Sequence, residues 1–226
     1  ARHPVPEIQT RGMNVACGIG QRWRRRFAAS CVVSCALLGY RPGAFAGAQI
    51  QEPLADATRS ALAASIASTA PPRPSFDSLE ARLEYLNWLG QISKRLEQSK
   101  AEHVARVEFL ETLWYESKRA GLEPALVLSI VQVESAFRKY AISSAGARGY
   151  MQVMPFWARL IGDGNAGHLF HMQTNLRFGC VILRHYLDLE KGDLFLALSR
   201  YNGSRGQSKY PETVLRARKS WEYKSP

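Results

Sequence analysis

Apolar residues recur at intervals of three and four along most of the chain beyond residue 75, and this spacing predicts helices. Asp77 followed by Glu80 is typical of a helix start, and the helix should reach about residue 98. A second helix is predicted over about 102–119, with Gly121 ending it. The aliphatic residues expected to face the core are Leu79, Leu83, Leu86, Ile92 and Leu96 in the first helix, and Val104, Val107 and Leu110, with Trp114, in the second.

The segment from Pro124 to Ser135 has a different pattern, because apolar residues cover nearly every face of the predicted helix. Proline fits the first turn, where its missing N–H would be unpaired anyway. Such a helix should be buried, and Glu134 lies in its last turn. Burial and the negative end of the helix dipole both disfavour the carboxylate, so we expect a raised pKa. A carboxyl of this kind suits a general acid working near neutral pH.

The remaining patterns complete an all-α fold class. Further helices are predicted near 155–161, from Thr174 to about Glu190, from about Asp193 to Tyr201, and from Pro211 to about Trp221. No stretch shows the alternation of a strand, so any β structure should be limited to a small irregular hairpin around residues 138–150.

The first 46 residues have the features of a secretory signal that begins near Met13. Four arginines between residues 22 and 26 precede an apolar run, and Ala44-Phe45-Ala46 resembles a cleavage site. The run is too short for a membrane-spanning helix of about 20 residues. We therefore expect an exported, periplasmic protein. An uncleaved anchor and a lipid anchor at Cys35 are the alternatives.

Removing residues 1–46 changes the charge and the cysteine content. Seven arginines and one glutamate would leave, so the formal net charge would fall from +11 to +5. This balance makes no strong case for nucleic acid, and membrane contact should be peripheral at most. Cys180 alone would remain, in an apolar run where a buried thiol is expected. Residues 47–74, rich in Ala, Ser and Pro, are predicted to be a flexible linker with a short helix at 57–67, before a single domain over 75–226.

Three blocks of residues resemble the family 1 lytic transglycosylases, whose SLT domain is related to goose-type lysozyme. The first is Glu134-Ser135-Ala136-Phe137, the second runs from Ser143 to Pro155 through Gly149-Tyr150-Met151-Gln152, and the third is Ala197–Gly203, followed by Tyr210, Pro211 and Val214. Their order and spacing make chance agreement improbable. The chain departs from the family at Tyr150, where leucine is usual, and at Arg200, where a small residue is usual; both put the fit of the substrate in doubt.

The resemblance implies a lysozyme-like catalytic domain that cleaves peptidoglycan between N-acetylmuramic acid and N-acetylglucosamine, leaving a 1,6-anhydro end. Glycoside hydrolases usually use two carboxylates. Between residues 135 and 167 only Asp163 is acidic, in a turn-like loop, so a one-carboxylate reaction fits. It requires neither metal nor organic cofactor. There are two alternatives: a muramidase-type hydrolase and an inactive peptidoglycan-binding scaffold of a secretion apparatus. A secretion or conjugation apparatus is a candidate partner.

The same resemblance implies that Glu134 is the catalytic residue and assigns residues to substrate binding. Gln152 and Asn202 suit the amides and hydroxyls of N-acetylated sugars, and the Tyr201 hydroxyl is expected close to Glu134. The full set of expected substrate-binding residues is Ser135, Gly149, Met151, Gln152, Tyr201 and Asn202.

Overall fold

The computed structural model describes residues 49–67 and 74–225. Within these ranges the predicted all-α class is confirmed, and no strand is formed. A 3-10 helix over Ala166–Phe170, which the sequence pattern did not predict, lies between the fifth and sixth α-helices. The α-helices are α1 (Asp56–Ala67), α2 (Leu79–Leu96), α3 (His103–Arg119), α4 (Pro124–Ser135), α5 (Pro155–Ile161), α6 (Met172–Leu189), α7 (Leu194–Tyr201) and α8 (Lys209–Arg218).

Local side chains explain where several helices begin. The Ser78 hydroxyl, one residue beyond the predicted Asp77, accepts a hydrogen bond from the Ala81 N–H at 3.1 Å. The Asp193 carboxylate accepts from the Leu196 N–H at 2.9 Å and so caps α7. Each cap satisfies a backbone donor that the first turn leaves unpaired, and α4 and α5 instead start with proline.

Helix α4 lies in the core, as its apolar pattern predicts. It packs against α3 and α8, while α6 packs against α3, α7 and α1. Cys180 on α6 is buried, as expected, and burial raises the pKa of its thiol. The buried Glu116 carboxylate of α3 accepts two hydrogen bonds from Arg177 of α6, at 2.9 and 3.1 Å. An ion pair therefore links two central helices.

The predicted aliphatic face of α2 is wrong in its first half. Leu79, Leu83 and Leu86 are about half exposed or more, whereas Tyr85 and Trp88 are buried together with the correctly predicted Ile92 and Leu96. The aromatic rings decide the orientation, because Tyr85 packs edge-on against Trp114 with ring centroids 4.9 Å apart.

The same happens at the start of α3. Val104 is 71% exposed, whereas the correctly predicted Leu110 is buried together with Phe109 and Leu113. Larger side chains bury more apolar area, so they fix the rotation of a helix whose aliphatic spacing alone allows more than one orientation.

The expected irregular hairpin takes the form of two isolated bridges. Arg148 pairs with Ile142 and with Val153, in antiparallel fashion on both sides. The Arg148 N–H donates to the Val153 carbonyl and the Val153 N–H to the Arg148 carbonyl, both at 3.0 Å. This compact turn contains the second sequence block.

The short helix predicted within the linker is present as α1, and it packs on the domain, which the sequence did not predict. Helix α1 packs against α5 and α6, and Leu62, Ala63 and Ile66 contact the core. Arg119 donates to the Ser65 carbonyl at 2.5 Å. This part of the segment is therefore not a free spacer, because its alanine-rich helix still offers an apolar face to the domain.

The predicted signal and the alternative anchor at Cys35 lie outside the described residues. Among residues 49–67 and 74–225, none of the helices is long and apolar enough to cross a membrane.

Candidate active site

Glu134 lies in the last turn of α4 with no exposed surface. Burial raises the pKa of its carboxyl to about 8. The Tyr210 hydroxyl of α8 donates to Glu134 Oε1 at 2.7 Å, which opposes part of that rise. Oε2 is also buried and has no hydrogen-bond partner. At neutral pH the carboxyl is therefore largely protonated. Its Oε1 is held by the hydrogen bond from Tyr210, and its Oε2 has no hydrogen-bond partner.

The backbone directly after Glu134 is in an uncommon conformation. Ala136 and Phe137 have φ values of 48° and 63°, in the left-handed region that residues other than glycine rarely adopt. The Phe137 ring is packed edge-on against Phe109 and Trp221, with centroids 6.1 and 5.4 Å apart. Packing of the ring thus stabilises the sharp end of the helix that places Glu134.

Gly149 begins the loop that faces this helix end. Its φ is 75°, and a Cβ atom built there would lie 2.3 Å from Asn175 Nδ2 and 2.6 Å from the Leu169 carbonyl oxygen. No residue with a side chain fits this position without displacing backbone.

Asn175 of α6 holds the loop 149–152 in place through hydrogen bonds, although the sequence analysis assigned it no function. Its Oδ1 accepts from the Met151 N–H at 2.8 Å, and its Nδ2 donates to the carbonyls of Arg148 and Leu169, each at 2.8 Å. All three bonds are made by a fully buried side chain. The sequence offered no sign of this, since Asn175 lies 24 residues from the loop that it binds.

Ser135 and Gln152 are buried, and their described hydrogen bonds are to backbone. The Ser135 hydroxyl is within hydrogen-bond distance of the carbonyls of Val131, at 3.0 Å, and Tyr150, at 2.8 Å. Gln152 Nε2 donates to the carbonyls of Ala141 and Gly149 at 3.1 and 2.9 Å. These side chains therefore join α4 and the loop into one unit.

Tyr201 and Met151 complete the wall near Glu134. The Tyr201 hydroxyl donates to the Met151 carbonyl at 2.8 Å, and burial followed by the nearby Glu134 charge raises its pKa. It is Tyr210 that donates to Glu134. Met151 is itself fully buried, against Gly179 of α6, where an added Cβ would lie 2.2 Å from the methionine sulfur.

Asn202 is the partly exposed member of the expected substrate-binding set. It ends α7, and its Oδ1 accepts from the Ser204 hydroxyl at 3.1 Å. Hydrogen bonds therefore join Ser135 and Tyr201 to the loop 149–152, and Asn202 directly follows Tyr201 at the end of α7. Tyr210 belonged to the third sequence block, yet only the structure gives it a partner.

The two departures from the family pattern have visible partners. The Tyr150 hydroxyl accepts from Lys100 Nζ at 3.0 Å, and both residues line a cleft of about 1050 Å³. Arg200 contacts Glu190 and also Glu52 of the segment before α1. Among the described residues there is no group of three or more His, Cys, Asp or Glu that could bind a metal ion.

Comparison with known families agrees with this arrangement. Residues 112–223, which include α4, the loop and α8, match the family described as Transglycosylase SLT domain. Through these residues the chain belongs to that family.

Individual relatives match shorter stretches. A protein named Transglycosylase from Enterobacteria phage PRD1 is 35% identical over 104 residues, which cover 46% of this chain and 38% of the phage protein. Membrane-bound lytic murein transglycosylase C from Actinobacillus pleuropneumoniae serotype 5b (strain L20) is 41% identical over 75 residues, 30% of this chain and 20% of that protein. The chain thus spans well under half the length of these relatives.

Among solved structures, an inactive mutant of lytic transglycosylase Slt from Pseudomonas aeruginosa is similar, with a TM-score of 0.40 and 23% identity. The match covers 62% of this chain and 27% of that one.

Proposed function

We propose that this protein is a peptidoglycan lytic transglycosylase that cleaves the β-1,4 bond between N-acetylmuramic acid and N-acetylglucosamine. The observation that carries the proposal is the state of Glu134: fully buried, with a pKa near 8, one oxygen bound by Tyr210 and the other without a partner. A carboxyl in this state can donate a proton near neutral pH. Membership of the SLT family supports peptidoglycan as the substrate.

In the first step, protonated Glu134 donates its proton to the glycosidic oxygen while the bond from that oxygen to C1 of the muramoyl residue breaks. The N-acetylglucosamine portion leaves as an alcohol, and positive charge develops at C1. Glu134 is now a carboxylate. General acid catalysis of this kind contributes about 10²- to 10⁴-fold to the rate.

In the second step, the Glu134 carboxylate removes the proton from the C6 hydroxyl of the same muramoyl residue. The C6 oxygen attacks C1 and closes the 1,6-anhydro ring, and Glu134 is protonated again. One carboxyl therefore serves as acid and then as base, and no water enters as nucleophile.

The surrounding residues position this carboxyl and the sugar. We propose that Tyr210 fixes Oε1 so that the proton resides on Oε2, the oxygen without a partner. Asn202 is the proposed side-chain contact to the sugar, because it is partly exposed at the end of α7. The proposed binding contribution of the other residues comes through the backbone that they hold in place; these are Ser135, Gly149, Met151, Gln152 and Tyr201.

The location follows from the substrate. We propose that the protein acts in the periplasm, in agreement with the signal-like residues 1–46 and with the membrane-bound relatives. Peptidoglycan strands are the proposed partner, with a secretion or conjugation apparatus as a candidate for a further one. We also propose the bounds 1–46 for the signal and 75–226 for the catalytic domain, against which α1 of the segment 47–74 packs.

The test is digestion of purified peptidoglycan followed by mass analysis of the products. Anhydro ends support the transglycosylase, reducing ends would replace it with a hydrolase, and an absence of products would favour a binding scaffold. Glu134→Gln should lower the rate at least 100-fold while the fold stays intact, because the amide keeps the shape and donates no acidic proton. Glu80→Gln, at an exposed glutamate in the first turn of α2, is the matched control and should retain the parent rate.

A further inference from the structure

The residues before α1 lie against the candidate active site. Gln49 is only 4% exposed, and its Oε1 accepts a hydrogen bond from the Met154 N–H at 3.4 Å. Its amide also lies beside the Tyr201 hydroxyl. Burial raises the pKa of Tyr201, and the hydrogen bond with Gln49 opposes part of this rise. The negative charge of the Glu134 carboxylate also raises the pKa of Tyr201, so these two side chains are near each other. A side chain from outside the matched family region therefore packs against Met154, just after the loop 149–152, and against Tyr201.

A second contact attaches the same segment three residues later. Arg200 Nη1 donates to both carboxylate oxygens of Glu52, at 2.5 and 2.6 Å. Arg200 directly precedes Tyr201 in α7, and its Nε donates to Glu190 at 2.7 Å, which fixes the guanidinium. The arginine that departs from the family pattern is thus the residue that binds this segment.

The contacts of Gln49 and Glu52 are suited to release. The hydrogen bond that Gln49 accepts from the Met154 N–H is long, at 3.4 Å, and therefore weak. The Glu52 side chain is 42% exposed, so solvent and salt weaken its ion pair with Arg200. Residues 49–55 form no regular secondary structure that would hold them in place.

We propose that residues 49–52, here called the strap, are an autoinhibitory segment that occupies part of the substrate site and is displaced by the glycan strand. The proposal rests on the proposed function. Glu134 has no exposed surface, so a polymer can reach it only after some covering group moves. The carboxamide of Gln49 has the same hydrogen-bonding groups as an acetamido group, so an N-acetylated sugar can compete for the Met154 N–H.

Two strap variants of the full chain, Glu52→Gln and Gln49→Ala, test the proposal. Each is combined with Glu134→Gln, so that binding is measured without turnover, and the ligand is a neutral N-acetylglucosamine tetramer followed by calorimetry. The affinity of a partly closed site is lowered by the fraction that is closed, so release should tighten binding about 3- to 10-fold. Asp56→Asn, which removes a surface pair with Arg59 on α1, is the control and should bind like the parent.

Salt supplies a readout that a merely structural segment would not change. The ligand is uncharged, so salt acts on the strap through the Glu52–Arg200 pair, which is screened as the Debye length falls from about 10 Å at 0.1 M toward 3 Å at 1 M. Affinity of the parent should rise with salt, and that of Glu52→Gln should stay constant.

The proposal is overturned if both strap variants bind the tetramer no better than the parent, or if salt affects the parent and Glu52→Gln equally. Failure of the proposed function is a separate result, seen as missing anhydro products from the chain with Glu134 intact. Tetramer binding and product formation therefore distinguish the two.

Discussion

At the scale of single residues, Glu134 connects burial with pH. Its folded-state pKa of about 8 lies above the ordinary 4.5, so the unfolded chain loses this proton first as pH rises. The stabilisation associated with Glu134 is complete below about pH 4.5 and is lost as pH approaches 8. We expect Glu134→Gln, which cannot ionise, to gain stability over the parent across this window. Melting temperatures of both proteins from pH 4 to 9 measure the difference.

The Glu80→Gln variant, at an exposed glutamate, is the control and should melt close to the parent. A constant difference in melting temperature between parent and Glu134→Gln at all pH values would contradict the raised pKa.

The variant Tyr210→Phe tests whether the Tyr210 hydroxyl positions the Glu134 carboxyl or whether its ring only packs in the core. Without the hydroxyl, the pKa of Glu134 should rise further, because the lost hydrogen bond is the one that lowers it. The acid then stays protonated to higher pH, so the alkaline limb of the rate profile should move upward in pH. The maximal rate should still fall by about 10- to 100-fold, since a carboxyl misplaced by about 1 Å loses rate on this scale.

Tyr201→Phe is the matched control for this experiment. It removes the bond to the Met151 carbonyl, so the protein should lose about 1 kcal/mol of stability while the alkaline limb stays in place. An equal shift of the alkaline limb of the rate profile in both variants would contradict a specific role of Tyr210 in positioning Glu134.

At the scale of elements, close approach of α6 to the loop 149–152 depends on Gly179. An alanine Cβ there would meet the Met151 sulfur at 2.2 Å. We expect Gly179→Ala to cost about 1–3 kcal/mol and to lower activity, because Met151 must shift. Denaturant unfolding and peptidoglycan digestion on the same samples measure both effects.

Gly90→Ala is the comparison within another helix. Nothing lies within 4 Å of the Cβ position at this exposed residue of α2, so alanine should stabilise the protein by about 0.5–1 kcal/mol. If Gly179→Ala proved as stable as the parent, the loop would be more adaptable than its contacts indicate.

The predictability of the elements differs between α4 and α2. The sequence identified α4 correctly because proline, continuous apolar residues and Glu134 all occur within one short segment. For α2 it identified the helix and misassigned the first half of its buried face, since Tyr85 is buried against Phe76 and Trp114, and Trp88 packs on Tyr85. Spacing within a helix records its own period and not the neighbours that it will meet.

The active site shows the same division. Glu134 was recognisable from its own helix and motif. The bonds from Tyr210 and Asn175 were not, because they join residues 76 and 24 positions apart. The spacing of motifs identifies the family, but it does not show which side-chain atoms form hydrogen bonds.

At the scale of the whole molecule, Arg177 links three helices. It donates to Glu116 of α3 and to the Ile66 carbonyl of α1. Glu116→Ala would leave the buried guanidinium without its carboxylate, and we expect a loss of about 3–5 kcal/mol of unfolding free energy. Urea unfolding provides the measurement. Asp188→Asn, which removes the more exposed Arg184–Asp188 pair, should cost no more than about 0.5 kcal/mol.

Trp221 connects the end of the described chain with the helix that bears Glu134. Its indole N–H donates to Gln132 Oε1 at 2.6 Å, and Arg95 of α2 donates to the carbonyls of Ser220 and Glu222 at 3.1 and 2.9 Å. A protease cut after Arg218 would therefore remove the indole that packs against Phe137 and loosen the turn after Glu134. Molecules cut after Arg218 should therefore be less active than intact ones, so the mass of every purified batch should be checked before rates are compared.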